Sequence, residues 1–579
     1  MCNRLQSRRV GVNGAPGAQR PLKEVNPMQL ISAFDAARLV RSGANLLVSG
    51  SGGGHGVPEA VLEAIEAQFL TERSPRDLTL IHVVGIGDRQ QKGAARFGHE
   101  GLLKRSITSA LVDSPILAEL ALANKIESYI LPQGVMSQMM REIAGGRPGL
   151  ISRTGLHTFI DPRHGGARQN ESSKDDLIEL LTIDGEEWLR FKPLKFDIAI
   201  LRGTTADEDG NVSMEQEAVP GEMLSMAQAT RRNGGIVIVQ VKRLAQRATL
   251  SPRAVKIPGI VVDYIVVDPA QRQTYATDYS PSYAGELRVP LTSVKPLPFG
   301  HRKIVARRAA MEFLPGAICN LGAGISTGIA AVATEENIVN MVVLTNEQGF
   351  IGGAPLTGPD SGAAQNYDAV VDQPYQFDFY DGGGLDLAFL SFVEVDPTGS
   401  VNISRFADRI VGIGGFINIS QYAKHVIFSG TFTAGGLEVA CGDCGLRIIK
   451  EGRHRKFVNR IEQVSYSGPF AAKEGRTSIF ITERATFRTI DGGLELIEIA
   501  PGIDLEKDVL RQMGFRPRLA PDLRRMDERL FAQSPMNLRQ DLLAKVRSGG
   551  NGRATLRQGH NGLDSSPSII SLIRLSGWV

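Results

Sequence analysis

Cysteine is scarce in this chain, with four in 579 residues. That is too few for a disulfide framework at this length. Cys441 and Cys444 form one C-x-x-C, but no second ligand pair at metal spacing follows, so they read as a hairpin turn and no metal site is expected. Charge of one sign is also lacking. The formal net charge is +3, which argues against the basic face of a nucleic-acid binder. No apolar stretch reaches the roughly 18 residues that a membrane-spanning helix needs, so no membrane partner is expected. The N-terminal tail carries Arg4, Arg8, Arg9 and Arg20 before its first acid, Glu24, but has no apolar core of a secretory signal. Residues 1–28 therefore read as a disordered tail or a mis-assigned start. A transit peptide is the alternative, although Gly and Pro interrupt any amphipathic helix there. The expected location is the cytoplasm, or the mitochondrial matrix if those arginines belong to a transit peptide. At the other end, residues 530–579 are polar and Gly/Ser-rich in their middle. They read as a loosely ordered extension with a short helix over 538–546.

Hydrophobic residues make up 42% and charged residues 22%, enough apolar matter for a sizeable core, and the length suggests two or more domains. An internal repeat supports this. Phe196-Asp197-Ile198-Ala199-Ile200-Leu201 leads to Asp209-Gly210-Asn211-Val212, and Leu385-Asp386-Leu387-Ala388-Phe389-Leu390 leads to Thr398-Gly399-Ser400-Val401. The spacing is constant, 386 − 197 = 189 and 399 − 210 = 189. The strands at 235–239 and 424–428 follow suit. Asn45-Leu46-Leu47-Val48-Ser49-Gly50 resembles Ile318-Cys319-Asn320-Leu321-Gly322, each after a helical pattern, at 33–40 and 304–313. That offset is 322 − 50 = 272, so the first half carries insertions. Pro290, Pro296, Pro298 and Gly300 mark a boundary within 287–301. Strands alternating with helices predict an α/β fold of two related open domains, 29–290 and 301–520, fused by duplication and built on mainly parallel sheets. A ligand then belongs beyond the carboxyl ends of strands, in the cleft between the halves. Exposed sheet surfaces on such a chain suggest a homo-oligomer, a dimer or tetramer.

Within that frame, Asn346-Glu347-Gln348-Gly349 stands out. It follows the apolar run 338–344, which reads as a buried strand, and precedes a glycine turn. A carboxylate is held at the tip of a rigid strand, where acids are seldom placed for packing. Three glycine-rich turns also follow strands: Gly50-Ser51-Gly52-Gly53-Gly54-His55-Gly56, Gly322-Ala323-Gly324-Ile325-Ser326-Thr327-Gly328 and Gly412-Ile413-Gly414-Gly415. Such turns present bare N–H groups to a phosphate or an oxyanion. None is a clean G-x-G-x-x-G with an acidic ribose partner, which disfavours a nicotinamide-dependent oxidoreductase. Leu131-Pro132-Gln133-Gly134 sets an uncharged amide in a turn, and Pro58-Glu59 opens a helix.

Taken together, Asn346-Glu347-x-Gly349, Gly412-x-Gly414-Gly415, Pro132-Gln133-Gly134, Gly52-Gly53-x-x-Gly56-x-Pro58-Glu59 and Asp161-Pro162-Arg163-x-Gly165-Gly166 resemble the family I coenzyme A transferases. The likeness is to the long single-chain forms acting on acetate, propionate and 3-oxoacids, and covers roughly 30–518. It implies that Glu347 is the nucleophile, Gln133 a side-chain donor to the oxyanion and Gly415 a backbone donor. Gly52, Gly53, Gly322, Gly324, Gly349 and Gly414 are expected to bind substrate. It further implies ping-pong transfer of coenzyme A between a short-chain acyl-CoA and a free carboxylate through a glutamyl-CoA thioester. Coenzyme A is then a substrate and no cofactor is needed. Gln348 stands where many relatives have Ser or Asn, and Phe416 with Asn418 departs from a smaller, acidic pattern, which bears on acyl specificity. An acyl-CoA hydrolase and a non-catalytic acyl-CoA-binding module are the alternatives on the same fold.

Overall fold

In the computed structural model, the structure describes residues 28–547 apart from 291–295, 323, 407, 443, 444 and 492. The N-terminal tail before 28, Cys2, Cys444 and the extension beyond 547 lie outside the described residues.

The first half is built on one eight-stranded sheet. Its order is Gln29–Ile31, Tyr264–Val267, Ile236–Val241, Ile198–Arg202, Asn45–Val48, Leu78–His82, Leu103–Thr108 and Glu127–Ile130, and every neighbouring pair is parallel. Runs such as Ile236-Val237-Ile238-Val239 suit this position, because a parallel strand is covered on both faces. The second half carries a ten-stranded sheet. Its centre, Thr477–Ile481, His425–Ser429, Leu387–Ser391, Ile318–Leu321 and Val343–Asn346, is parallel, and antiparallel strands extend it on both sides.

The two parallel cores share one strand order. Tyr264–Val267, Ile236–Val241, Ile198–Arg202, Asn45–Val48 and Leu78–His82 correspond in turn to the five central strands of the second sheet. The repeat extends to single hydrogen bonds. Asp197 accepts the Asn45 N–H at 2.8 Å, and Asp386 accepts the Ile318 N–H at 2.9 Å. Asp207 Oδ1 accepts the N–H groups of Asp209 and Asn211, and Asp396 Oδ1 those of Thr398 and Ser400. The acidic residues in the repeat are therefore turn and strand clamps, each satisfying donors that would otherwise be orphaned. Buried apolar residues of the two halves run together in one cluster, so the cleft between them is bounded by packed walls.

Three expectations change. The apolar run 338–344 is not one strand: Val339–Met341 is a 3₁₀ turn and the strand is Val343–Asn346. An isolated apolar run does not distinguish strand from buried turn, and here the chain must climb from the helix Gly328–Glu335 to the sheet. Gln133 is not in a turn but is the first residue of the helix Gln133–Ala144. Residues 530–547 are not loose. The short helix expected at 538–546 is present as Leu538–Arg547, and it is packed: Met536, Leu538 and Leu542 are 1% exposed. Glu336 fixes the approach to that helix by accepting the Met536 and Leu538 N–H groups.

Candidate active site

The strand Val343–Asn346 lies beside Ile318–Leu321 with Thr345 opposite Asn320. It turns at residues 346–349, where the Gly349 N–H donates to the Asn346 carbonyl at 3.1 Å, and returns as Phe350–Ile351. Asn346 pins this turn from two sides. Its Oδ1 accepts the Gln348 N–H at 2.7 Å and its Nδ2 donates to the Gly362 carbonyl at 3.0 Å. Glu347 thus sits at the apex, beyond the carboxyl end of a central strand, and its position is set by backbone bonds rather than by its own side chain. Gly349 has φ +107°, and a Cβ there would lie 2.0 Å from the Val371 carbonyl oxygen. Gly349→Ala is therefore expected to distort the hairpin, lowering the melting temperature by several degrees, roughly 1–3 kcal/mol, together with activity. A melting curve and a rate assay on the same preparation check it.

Burial raises the Glu347 pKa above its ordinary value, opposed by its own N–H and by the Asn320 amide. Asn320 is fully buried. Its Nδ2 also donates to the Tyr380 hydroxyl at 3.3 Å, Tyr380 donates to Thr345 Oγ1 at 2.8 Å, and Thr345 donates to the Cys319 carbonyl at 3.0 Å. Sequence reasoning missed this chain. Its signal was a polar residue inside each of two apolar strands, Ile318-Cys319-Asn320-Leu321 and Val343-Leu344-Thr345-Asn346.

The opposite wall joins the two halves. The Ile413 and Gly414 N–H groups donate to the Ser109 carbonyl at 2.8 and 3.0 Å, and the Gln133 N–H donates to the Gly414 carbonyl at 3.0 Å. Gly412 has φ +97°, and a Cβ there would lie 2.4 Å from Ala110 Cα, so only glycine allows this approach. Asn418, fully buried, accepts the Gly134 N–H at 3.1 Å and donates to Asp381. Two donors are left over. The Gln133 side chain is 1% exposed and its Nε2 has no partner among the described residues. No described acceptor takes the Gly415 N–H. Buried donors are almost always satisfied, so an unpartnered pair facing a cavity reads as a site for an oxygen.

That cavity has a volume of about 400 Å³. Glu347, Gln133, Gly414, Gly415, Gly52, Gly322 and Gly324 all line it, together with Gln348, Leu356, Phe392, Phe416 and Ile419. Gly53 and Gly349 are not on its wall. A Cβ on Gly53 would lie 2.3 Å from the Pro359 carbonyl oxygen, so this glycine lets the first half pack on the second. Asp161 is likewise structural, buried and accepting the His157 and Arg163 N–H groups.

Comparison with known proteins agrees with this geometry. A coenzyme A transferase family model matches residues 31–268. Caffeate CoA-transferase of Acetobacterium woodii is 43% identical over 87% of this chain and 98% of its own length. Acetate CoA-transferase YdiF of Escherichia coli K12 is 42% identical over 89% of this chain and 98% of its own. The crystal structure of the YdiF apoenzyme from E. coli O157:H7 superposes with a TM-score of 0.85, covering 88% of this chain and 98% of that one at 42% identity. A thioester complex of that acyl-CoA transferase with CoA superposes equally well, with a TM-score of 0.85. With likeness of this degree over nearly the whole length of those proteins, the chain belongs to the coenzyme A transferases, enzymes that move coenzyme A between an acyl-CoA and a free carboxylic acid.

Proposed function

We propose that this enzyme exchanges coenzyme A between a short-chain acyl-CoA and a free acid of the acetate, propionate or 3-oxoacid class, by a ping-pong route through Glu347. The observation that carries the reading is the shared cavity: a carboxylate at a hairpin apex on one wall and an unpartnered buried amide donor, Gln133 Nε2, on another. The Glu347 carboxylate attacks the thioester carbonyl. A C–O bond forms, the C–S bond breaks and the CoA thiolate leaves, giving a mixed anhydride. The thiolate then attacks the Glu347 acyl carbon, releasing the original acid as its carboxylate and leaving glutamyl-CoA. A second carboxylate reverses the two steps. No proton is gained or lost overall. Each addition places negative charge on an oxygen that Gln133 Nε2 and the Gly415 N–H are available to hold, and neutral donors do so without pairing off the attacking carboxylate. Coenzyme A is a substrate here and no resident cofactor takes part. The thioester complex described for the YdiF relative supports a covalent route.

Incubation with propionyl-CoA followed by intact-mass measurement tests the route directly. A gain equal to one coenzyme A less one water, reversed by added acetate, is the expected result. Release of free CoA at the same rate with and without an acid acceptor would instead mark a hydrolase. Gln133→Ala is expected to lower kcat by about 10²–10³ with a much smaller change in KM. A raised KM with kcat unchanged would instead assign Gln133 to ground-state binding.

A homo-oligomer working in the cytoplasm completes the proposal. Leu30, in the outer strand Gln29–Ile31, and Phe34 just after it are 57% and 52% exposed, at an open sheet edge of the kind that proteins cover. Light scattering of the purified enzyme gives the subunit count.

A further inference from the structure

We infer that the cavity accepts acids with a single carboxylate and turns away dicarboxylates, and that Asp113 is the residue that sets this selectivity. The inference rests on the transfer reading above. Among the described residues, the cavity wall carries two carboxylates, Asp113 and Glu347, and no Lys, Arg or His. An acceptor acid enters when Glu347 is already joined to coenzyme A, and so is uncharged. Its reacting carboxylate meets the Gln133 and Gly415 donors. From that moment Asp113 is the one charged group left on the described wall.

A second carboxylate on the acceptor would find no cation there. The rest of the wall is uncharged, mixing apolar side chains such as Leu356, Phe392, Phe416 and Ile419 with hydroxyls and amides such as Thr357 and Gln348, none of which can pair a carboxylate's charge. It would also meet Asp113, and like charges juxtaposed in a binding site carry a substantial penalty. The Asp113 carboxylate packs close to the backbone at Gly85, where a Cβ would lie 3.1 Å from its Oδ2, and its side chain is 18% exposed. Arg89 approaches Asp113 Oδ1 at 3.4 Å, but the Arg89 side chain is 68% exposed and is not part of the wall. Water screens that contact, and the arginine is engaged from outside. Burial raises the Asp113 pKa while Arg89 opposes the rise. The position thus acts as a negative determinant, discriminating by what it repels.

The test separates charge from size. With propionyl-CoA as donor, kcat/KM is measured for butyrate, succinate and monomethyl succinate, reading the new acyl-CoA by mass spectrometry. The half-ester has the length of succinate but one charge. Succinate is expected at least tenfold below the half-ester. A ratio under about tenfold overturns the inference, because charge would then not govern entry. In Asp113→Asn the succinate to half-ester ratio is expected to rise about tenfold, whichever way the separate rates move. An unchanged ratio removes Asp113 as the determinant. If none of the three acids is turned over, the transfer reading falls and takes this inference with it, a result distinct from selective loss of succinate.

Discussion

Glu347→Gln is expected to lower turnover by about 10⁴-fold or more, the scale of loss when a catalytic nucleophile is removed. The amide keeps the shape of the side chain and removes its charge. The hairpin does not depend on that charge. Its bonds run from Asn346 to Gln348, Gly349 and Gly362, and none of them uses the Glu347 side chain. Burial disfavours the ionised carboxylate, so the variant should melt no lower than the parent. Mass measurement after exposure to acyl-CoA should show the coenzyme A adduct on the parent alone. A folded variant that keeps normal turnover would remove Glu347 from the reaction. The pH profile gives a second handle with a definite sign. Only the ionised form attacks, so the rate falls as pH drops through the Glu347 pKa. Asn320 lowers that pKa, and Asn320→Leu is expected to move the acid limb of kcat/KM to higher pH.

Much of this arrangement is written locally. The duplication is legible because Asp197 and Asp386, and Asp207 and Asp396, repeat at one offset and do the same backbone job in each half. Glu347 is legible because a charged residue interrupts an apolar run just before a glycine that its turn requires. What was not legible depends on contacts far apart in sequence. The burial of Gln133 follows from its N–H meeting Gly414, 281 residues on by 414 − 133. Asn418 looked like a departure from a motif, whereas it ties Gly134 to Asp381. Gly53 and Gly349 carry the same signature as the cavity glycines, but they make room for neighbouring backbone rather than for a ligand. A glycine's sequence context does not say which of these it does.

Wild-type stability is expected to contain a component that falls as pH rises from about 5 to 8, and Glu222→Gln should remove part of it. Two carboxyls, Glu222 buried and Asp381 partly buried, abut the helix Gln133–Ala144, which carries Gln133 to the cavity. Glu222, 3% exposed, accepts a bond from Ser137 Oγ at 2.9 Å, and burial with Asp372 nearby raises its pKa to about 7. Asp381 accepts from Asn418 at 3.0 Å and from Gln138 at 2.9 Å, and burial raises it to about 7 as well. The ordinary values are 4.5 and 3.8. A carboxyl that binds its proton more tightly when folded stabilises fully below the unfolded pKa, and that contribution is lost as pH rises through the folded one. At about 1.4 kcal/mol per pH unit each group accounts for roughly 3–4 kcal/mol at most. Lys456 acts with the opposite sign. Burial lowers it to about 7 from 10.5, so its contribution is absent at low pH and grows as pH rises from there. The raw pH profile mixes these terms, and the informative quantity is the difference between variant and parent. In Glu222→Gln the Ser137 hydroxyl keeps an acceptor while the charge is gone. Denaturant melts should therefore show the variant close to the parent at pH 5 and more stable at pH 8. A difference that stays constant between the two would mean that Glu222 does not titrate in this range, and that burial at the helix Gln133–Ala144 leaves its proton where an exposed glutamate would hold it.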